Sequence, residues 1–115
     1  MDKGARIYKD FIDELVDMSR RCSHEGRILA GHDPWNNALN AILEKLDDRE
    51  RRVLANYALD AYHSAIHDTL FRLEEMRWNL NMTITADGAV LPIGDYEGLH
   101  CDYIGRRDDW EWPDE

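Results

Sequence analysis

Cysteine, proline and glycine are scarce in this chain: two, three and seven among 115 residues. Cys22 and Cys101 show no metal-type spacing between them, so neither a disulfide framework nor a zinc ribbon is built here. A single bridge is open to them but not needed. Two reduced thiols in a cytoplasmic protein is the expectation. Long apolar runs are absent too. No stretch approaches the roughly 18 residues that span a bilayer, and Asp10, Asp13 and Glu14 interrupt the N-terminal pattern before a signal-peptide core can form. No glycine-rich loop follows an expected strand, so there is no nucleotide signal.

Positive charge is the minority sign. Fourteen Lys and Arg face 24 Asp and Glu, a formal charge of −10, which repels phosphate backbones and anionic lipid. Nucleic acid and membrane are therefore not expected partners. The imbalance is concentrated towards the C-terminus. Residues 1–80 hold 12 basic and 15 acidic side chains, and residues 81–115 hold two and nine. Such a segment is either a solubilising surface or a docking surface for a basic protein.

What is present is a globular amount of apolar and aromatic residue, 43% and 10%, enough for one domain over residues 1–115. Ile7, Phe11, Leu15, Met18 and Cys22 recur at spacings of three and four, with Tyr8 and Ile12 at the border, predicting an amphipathic helix over about 3–24. Residues 24–33 read as a loop. Asp33-Pro34 supplies a cap and a first-turn proline for a second helix over 34–46, with Trp35, Leu39, Ile42, Leu43 and Leu46 inward. Asp47 and Glu50 have the form of a capping box at the start of a third helix. That helix runs over 48–80 without Gly or Pro. Its stripe is Leu54, Ala58, Ala61, Tyr62, Ala65, Leu73 and Met76, and the alanines suggest close approach of a neighbouring helix. Val53, Phe71 and Trp78 form a second apolar side, so the helix is either wrapped centrally or exposes an apolar patch to a partner or to a second copy of the chain.

After Asn81 the period changes to two. Residues 82–93 read as a hairpin turning at Asp87-Gly88, with Ala86 opposite Ala89, Ile84 opposite Leu91 and Met82 opposite Ile93. Residues 94–112 form an irregular or short-helical segment with an acidic aromatic end. The fold class is α+β, mainly α: a three-helix core with a long third helix, a C-terminal hairpin and this final segment.

Two constellations carry chemistry. His63 and His67 are four apart on the long helix, with Asp60 one turn before, a spacing at which two imidazoles reach one metal. The intervening Ser64-Ala65-Ile66 lacks the glutamate of zinc-protease helices, and a third ligand must come from elsewhere, with His24, His32, Asp68, His100 and Cys101 the candidates. Asp60, Ser64 and His67 also align as a column, but neither a nucleophile turn nor an oxyanion hole accompanies them, so no catalytic residue and no cofactor is assigned. Trp78, Trp110 and Trp112, with Asp108 and Asp109, have the composition of an interface centre with a charged rim. The general character is similar to small acidic binding proteins of bacterial type, including immunity proteins that neutralise basic toxins, although no motif carries that likeness. The leading expectation is a non-enzymatic protein-binding module of immunity or inhibitor type. The alternative is a metal-binding protein or metal-dependent hydrolase built on the histidine pair.

Overall fold

The computed structural model describes residues 2–113. The fold is α+β and mainly α. The described residues form α1 (Lys3–Ser19), α2 (Ser23–Ala30), α3 (Asn37–Leu43), α4 (Asp48–Leu80), β1 (Thr85–Ala86), β2 (Ala89–Val90), a 3₁₀ turn (Ile93–Asp95) and α5 (Leu99–Arg107). By their contacts they fall into two compact units: Met1–Asp17 with Ala65–Glu115, and Met18–Ser64. The charge divides the same way. The first unit carries seven basic and 17 acidic side chains, the whole −10, whereas the second carries seven of each.

In the first unit, Tyr8, Ile12 and Val16 of α1 pack with Leu70 of α4, Leu91, Ile93, Leu99, Tyr103 and Trp112. The inward face of α1 is thus rotated by about one residue from the expected stripe. Ile7, Phe11 and Leu15 are only half-buried and Met18 is exposed. Tyr8 takes the centre because its phenol has a buried acceptor to reach. Asp13, outside the predicted apolar stripe, is not an idle solvent-facing charge either: it accepts from Arg106, Nε to Oδ1 at 2.7 Å.

The hairpin has the expected register, Ala86 opposite Ala89, extended by a bond from the Leu91 amide to the Ile84 carbonyl at 2.8 Å. Asp87 and Gly88 both have positive φ, 51° and 76°, the backbone of a two-residue turn whose twist matches the strands. The ladder is shorter than 82–93, and Met82 does not pair with Ile93, because the Ile93 amide turns back to the Leu91 carbonyl at 2.9 Å and the chain then winds into the 3₁₀ turn.

α1 approaches this hairpin closely at Gly4. A Cβ there would sit 2.6 Å from the Val90 carbonyl oxygen. Gly26, inside α2, has nothing within 4 Å of the same position. Alanine therefore acts with opposite sign at the two sites. Gly26→Ala should stabilise by about 0.5–1 kcal/mol through helix propensity. At Gly4 that gain is outweighed by an overpacking cost of about 1–3 kcal/mol, so Gly4→Ala should lower the melting temperature. Thermal unfolding of the two variants beside the parent checks both signs.

The second unit is built on Ile28 of α2, Leu43 of α3 and Ala55 of α4. The expected loop at 24–33 is instead α2, and the first helix ends at Ser19. Ser23-His24-Glu25 initiates the new helix, and Gly31 ends it at φ 79° in the left-handed conformation of a C-cap. Asp33-Pro34 makes a side-chain turn, the Trp35 amide donating to Asp33 Oδ1 at 2.9 Å. The α3 cap is Asn36, which accepts from Leu39. Trp35, expected inward, is exposed beneath the Arg27 guanidinium at 4.5 Å. The capping box forms as expected. The Glu50 amide donates to Asp47 Oδ1 at 2.8 Å, and the Asp47 amide to Glu50 Oε1 at 3.0 Å. Arg51 binds the Leu43 carbonyl through Nε and Nη2 at 3.2 and 3.0 Å, satisfying an end-of-helix acceptor of α3.

α4 uses the expected stripe in part: Leu54 and Ala58 pack on the Ile28, Leu43 and Ala55 cluster, and Leu73 packs on the cluster around Tyr8. Ala61 and Ala65 are exposed, and its buried residues are Ala55, Leu70 and Glu74. The second apolar side is open to solvent, with Val53, Phe71 and Trp78 all exposed.

Candidate functional site

The densest polar arrangement of the first unit surrounds the start of α5. Gly98, at φ 113° and ψ 162°, turns the chain into this helix in a conformation that side chains disfavour. Its missing side chain also makes room for Glu74, whose carboxyl oxygens would lie 3.1 and 3.4 Å from a Cβ at this position. Glu74 is buried, and its Oε2 accepts from the Leu99 amide at 3.0 Å, closing the first turn of α5. Its Oε1 accepts from Trp78 Nε1 at 3.0 Å and pairs with the Arg77 guanidinium. A buried carboxylate is costly unless paired and hydrogen-bonded, and this one is both.

Asp102, one turn into α5, is the second buried carboxyl. Its Oδ2 accepts from the Tyr8 hydroxyl at 2.5 Å, and its Oδ1 from the Glu97 amide at 3.2 Å. Burial pushes the Asp102 pKa up, opposed by the hydrogen bonds from Tyr8 and the backbone. Burial first, and then the bond to Asp102, push the Tyr8 phenol far above its ordinary range, so it stays a donor. The neighbouring Cys101 thiol is also pushed up, by burial and then by the charges of Glu97, Asp102 and Glu74. That is the opposite of an activated thiolate.

Beside these groups lies a pocket of about 250 Å³, lined by Trp78, Tyr96, Glu97, Asn81 and the Glu74–Arg77 pair. The paired charges cancel. An incoming group meets the Glu97 carboxylate, two aromatic rings and an amide, a lining that suits an organic cation. Trp78 is 76% exposed at this pocket.

The other expected interface residues are placed differently. Trp112 is 2% exposed and belongs to the core, which corrects its assignment to a partner surface. Its ring stands against Tyr8, Tyr96 and Trp110 at 5.9, 5.2 and 5.5 Å between centroids. The physical reason is local: Asp109, at φ 62°, turns the chain back after α5, and Arg106 binds the Trp110 carbonyl oxygen at 2.5 Å. Trp110 is half-buried over Gly105, and Asp108 and Asp109 are exposed.

Of the metal candidates, Asp60 is exposed and His63 and His67 are half-buried. His67 turns to Asp68, Nδ1 to Oδ1 at 3.2 Å, and its ring meets that of His100 edge-on at 5.7 Å. Among the described residues no group of three or more His, Cys, Asp or Glu side chains is placed to hold a metal ion. Cys22 and Cys101 are free thiols. No helix among the described residues is long and apolar enough to cross a membrane.

Glu74, Asp102 and Gly98 were not marked by sequence. A glutamate on a long charged helix and an aspartate in an acidic tail look like solvated residues, and only tertiary contact distinguishes them.

The class this defines is a mainly helical α+β protein whose long helix lends a buried glutamate to the start of a short C-terminal one. The chain belongs to a family of unknown function, DUF6547, whose pattern matches residues 1–114. No curated protein and no solved structure matches the chain.

Proposed function

We propose that this protein is a non-enzymatic, cytoplasmic protein-binding module for a basic partner, in the manner of an immunity protein or inhibitor. The observation that carries the reading is the exposed Trp78 at a pocket shared with Tyr96 and Glu97, on the unit that holds the entire −10 charge. The net charge speeds encounter with a positive protein. The pocket then takes one Lys or Arg side chain of that protein, between an aromatic face and a carboxylate. Trp and Tyr at such a place are the usual interface anchors. Free thiols accord with a reducing compartment.

The test is capture from lysate with the parent, Trp78→Ala and Glu97→Gln proteins. A basic protein retained by the parent should be lost with Trp78→Ala, at a cost of about 2 kcal/mol or more in binding, and weakened with Glu97→Gln. Retention that is unchanged by both substitutions contradicts the reading.

A further inference from the structure

The second unit offers a different surface, independent of the pocket at Trp78. A groove of about 760 Å³ runs between the end of α3 and the first turns of α4, floored by Leu46 and Leu54 and edged by Ile42, Val53 and Tyr57. Its edges are apolar yet open: Ile42, Val53 and Tyr57 are 55%, 64% and 72% exposed. Large exposed apolar clusters are uncommon on chains that stay single. Leu54 also packs on the Ile28, Leu43 and Ala55 cluster, so the groove has a fixed floor.

We infer that this groove is a homodimer interface, each copy seating its Val53–Tyr57 ridge in the groove of the other. Three features select a second copy as the occupant. The unit is electrically neutral, seven charges of each sign, so it is the part of a −10 chain at which two copies meet with least repulsion. The groove's rim carries both signs, Arg49 with Asp47 and Glu50. About a two-fold axis every residue pair occurs twice, so a mixed rim can pair Arg49 of each copy with acids of the other, which a rim of one sign could not do. Ridge and groove also lie side by side, Val53 and Tyr57 one helical turn apart on α4, which is the condition for a self-complementary patch. A basic partner is drawn instead to the first unit, and an acidic one is repelled by the chain as a whole.

Sedimentation velocity over a concentration series tests this, on the parent and on Val53→Asp and Ile42→Asp. Both substituted side chains are exposed, and helical circular dichroism confirms that each variant is folded. The parent should sediment at twice its 13.5 kDa mass, and each variant should raise the dimer dissociation constant at least tenfold. A parent that stays monomeric at millimolar concentration overturns the inference, as does a dimer indifferent to both substitutions, which would place the contact elsewhere. Neither result bears on capture by Trp78, so the two proposals stand or fall separately.

Discussion

Trp112→Ala should destabilise the protein by about 3–5 kcal/mol, as loss of a large aromatic from a packed core does. Against a typical total of about 5–15 kcal/mol, that is a large share of what holds the fold. The ring is in edge contact with Tyr8, Tyr96 and Trp110 and lies under two cations, Lys9 Nζ at 5.8 Å and the Arg106 guanidinium at 5.5 Å. Its indole N–H points to Asp13 Oδ2 at 3.5 Å, the carboxylate that also binds Arg106. Removal therefore empties the space between α1 and the segment that follows α5 and loosens the Asp13–Arg106 pair. Urea unfolding gives the value, and Trp35→Ala is the control. Its ring is 77% exposed against the Arg27 guanidinium, so its effect should stay within about 1 kcal/mol. Equal effects for the two would remove Trp112 from the core.

Tyr8→Phe is the second large effect, about 2–3 kcal/mol at neutral pH, because it takes a donor from the buried Asp102 carboxylate. The pH dependence follows from the direction of the two shifts. Asp102 is raised from 3.8 by burial. A raised carboxyl contributes fully below the unfolded value, and its contribution is lost as pH rises through the folded value, where the native state must give up a proton it holds more tightly than the unfolded chain. The Tyr8 bond lowers that pKa, so Tyr8→Phe pushes it further up and the loss deepens. The destabilisation by Tyr8→Phe should therefore grow between about pH 4 and pH 7. At alkaline pH the sign reverses. The native phenol stays protonated above its ordinary 10.0 while the unfolded one ionises, so the parent loses stability as pH rises beyond 10 and the phenylalanine variant lacks that component. Denaturation at about pH 4, 7 and 10.5 measures the three points. A pH-independent difference would mean that Asp102 and Tyr8 do not titrate as a pair.

Local chemistry was legible wherever the signal lies within one element. The Asp47–Glu50 capping box, the Asp87-Gly88 turn and its register, and the uninterrupted helix over 48–80 all follow from residues a few positions apart. The boundary between the first and second helices was not legible. Glycine at 26 reads as a breaker, yet α2 forms through it because Ile28 has a core to enter. The centre of the α1 face was missed for a related reason. Phe11 and Leu15 outweigh Tyr8 by hydropathy, but Tyr8 owes its burial to a hydroxyl acceptor 94 residues away. The site at α5 shows the same limit. Nothing near Glu74 in sequence announces that its partners include the Leu99 amide, and the glycine that admits it stands 24 positions later. The tryptophans divide on the same ground. Trp78 sits on a helix face with no covering element, whereas Trp112 is carried inward by the turn at Asp109.

The reading of this protein as a module for basic partners is tested most directly by amide and indole NMR during titration with a short arginine-rich peptide at low salt. The account predicts saturable shifts at the Trp78 indole and at Tyr96, Glu97 and Gly98, abolished in Trp78→Ala. Shifts centred on Asp108 and Asp109, or none that saturate, would contradict it.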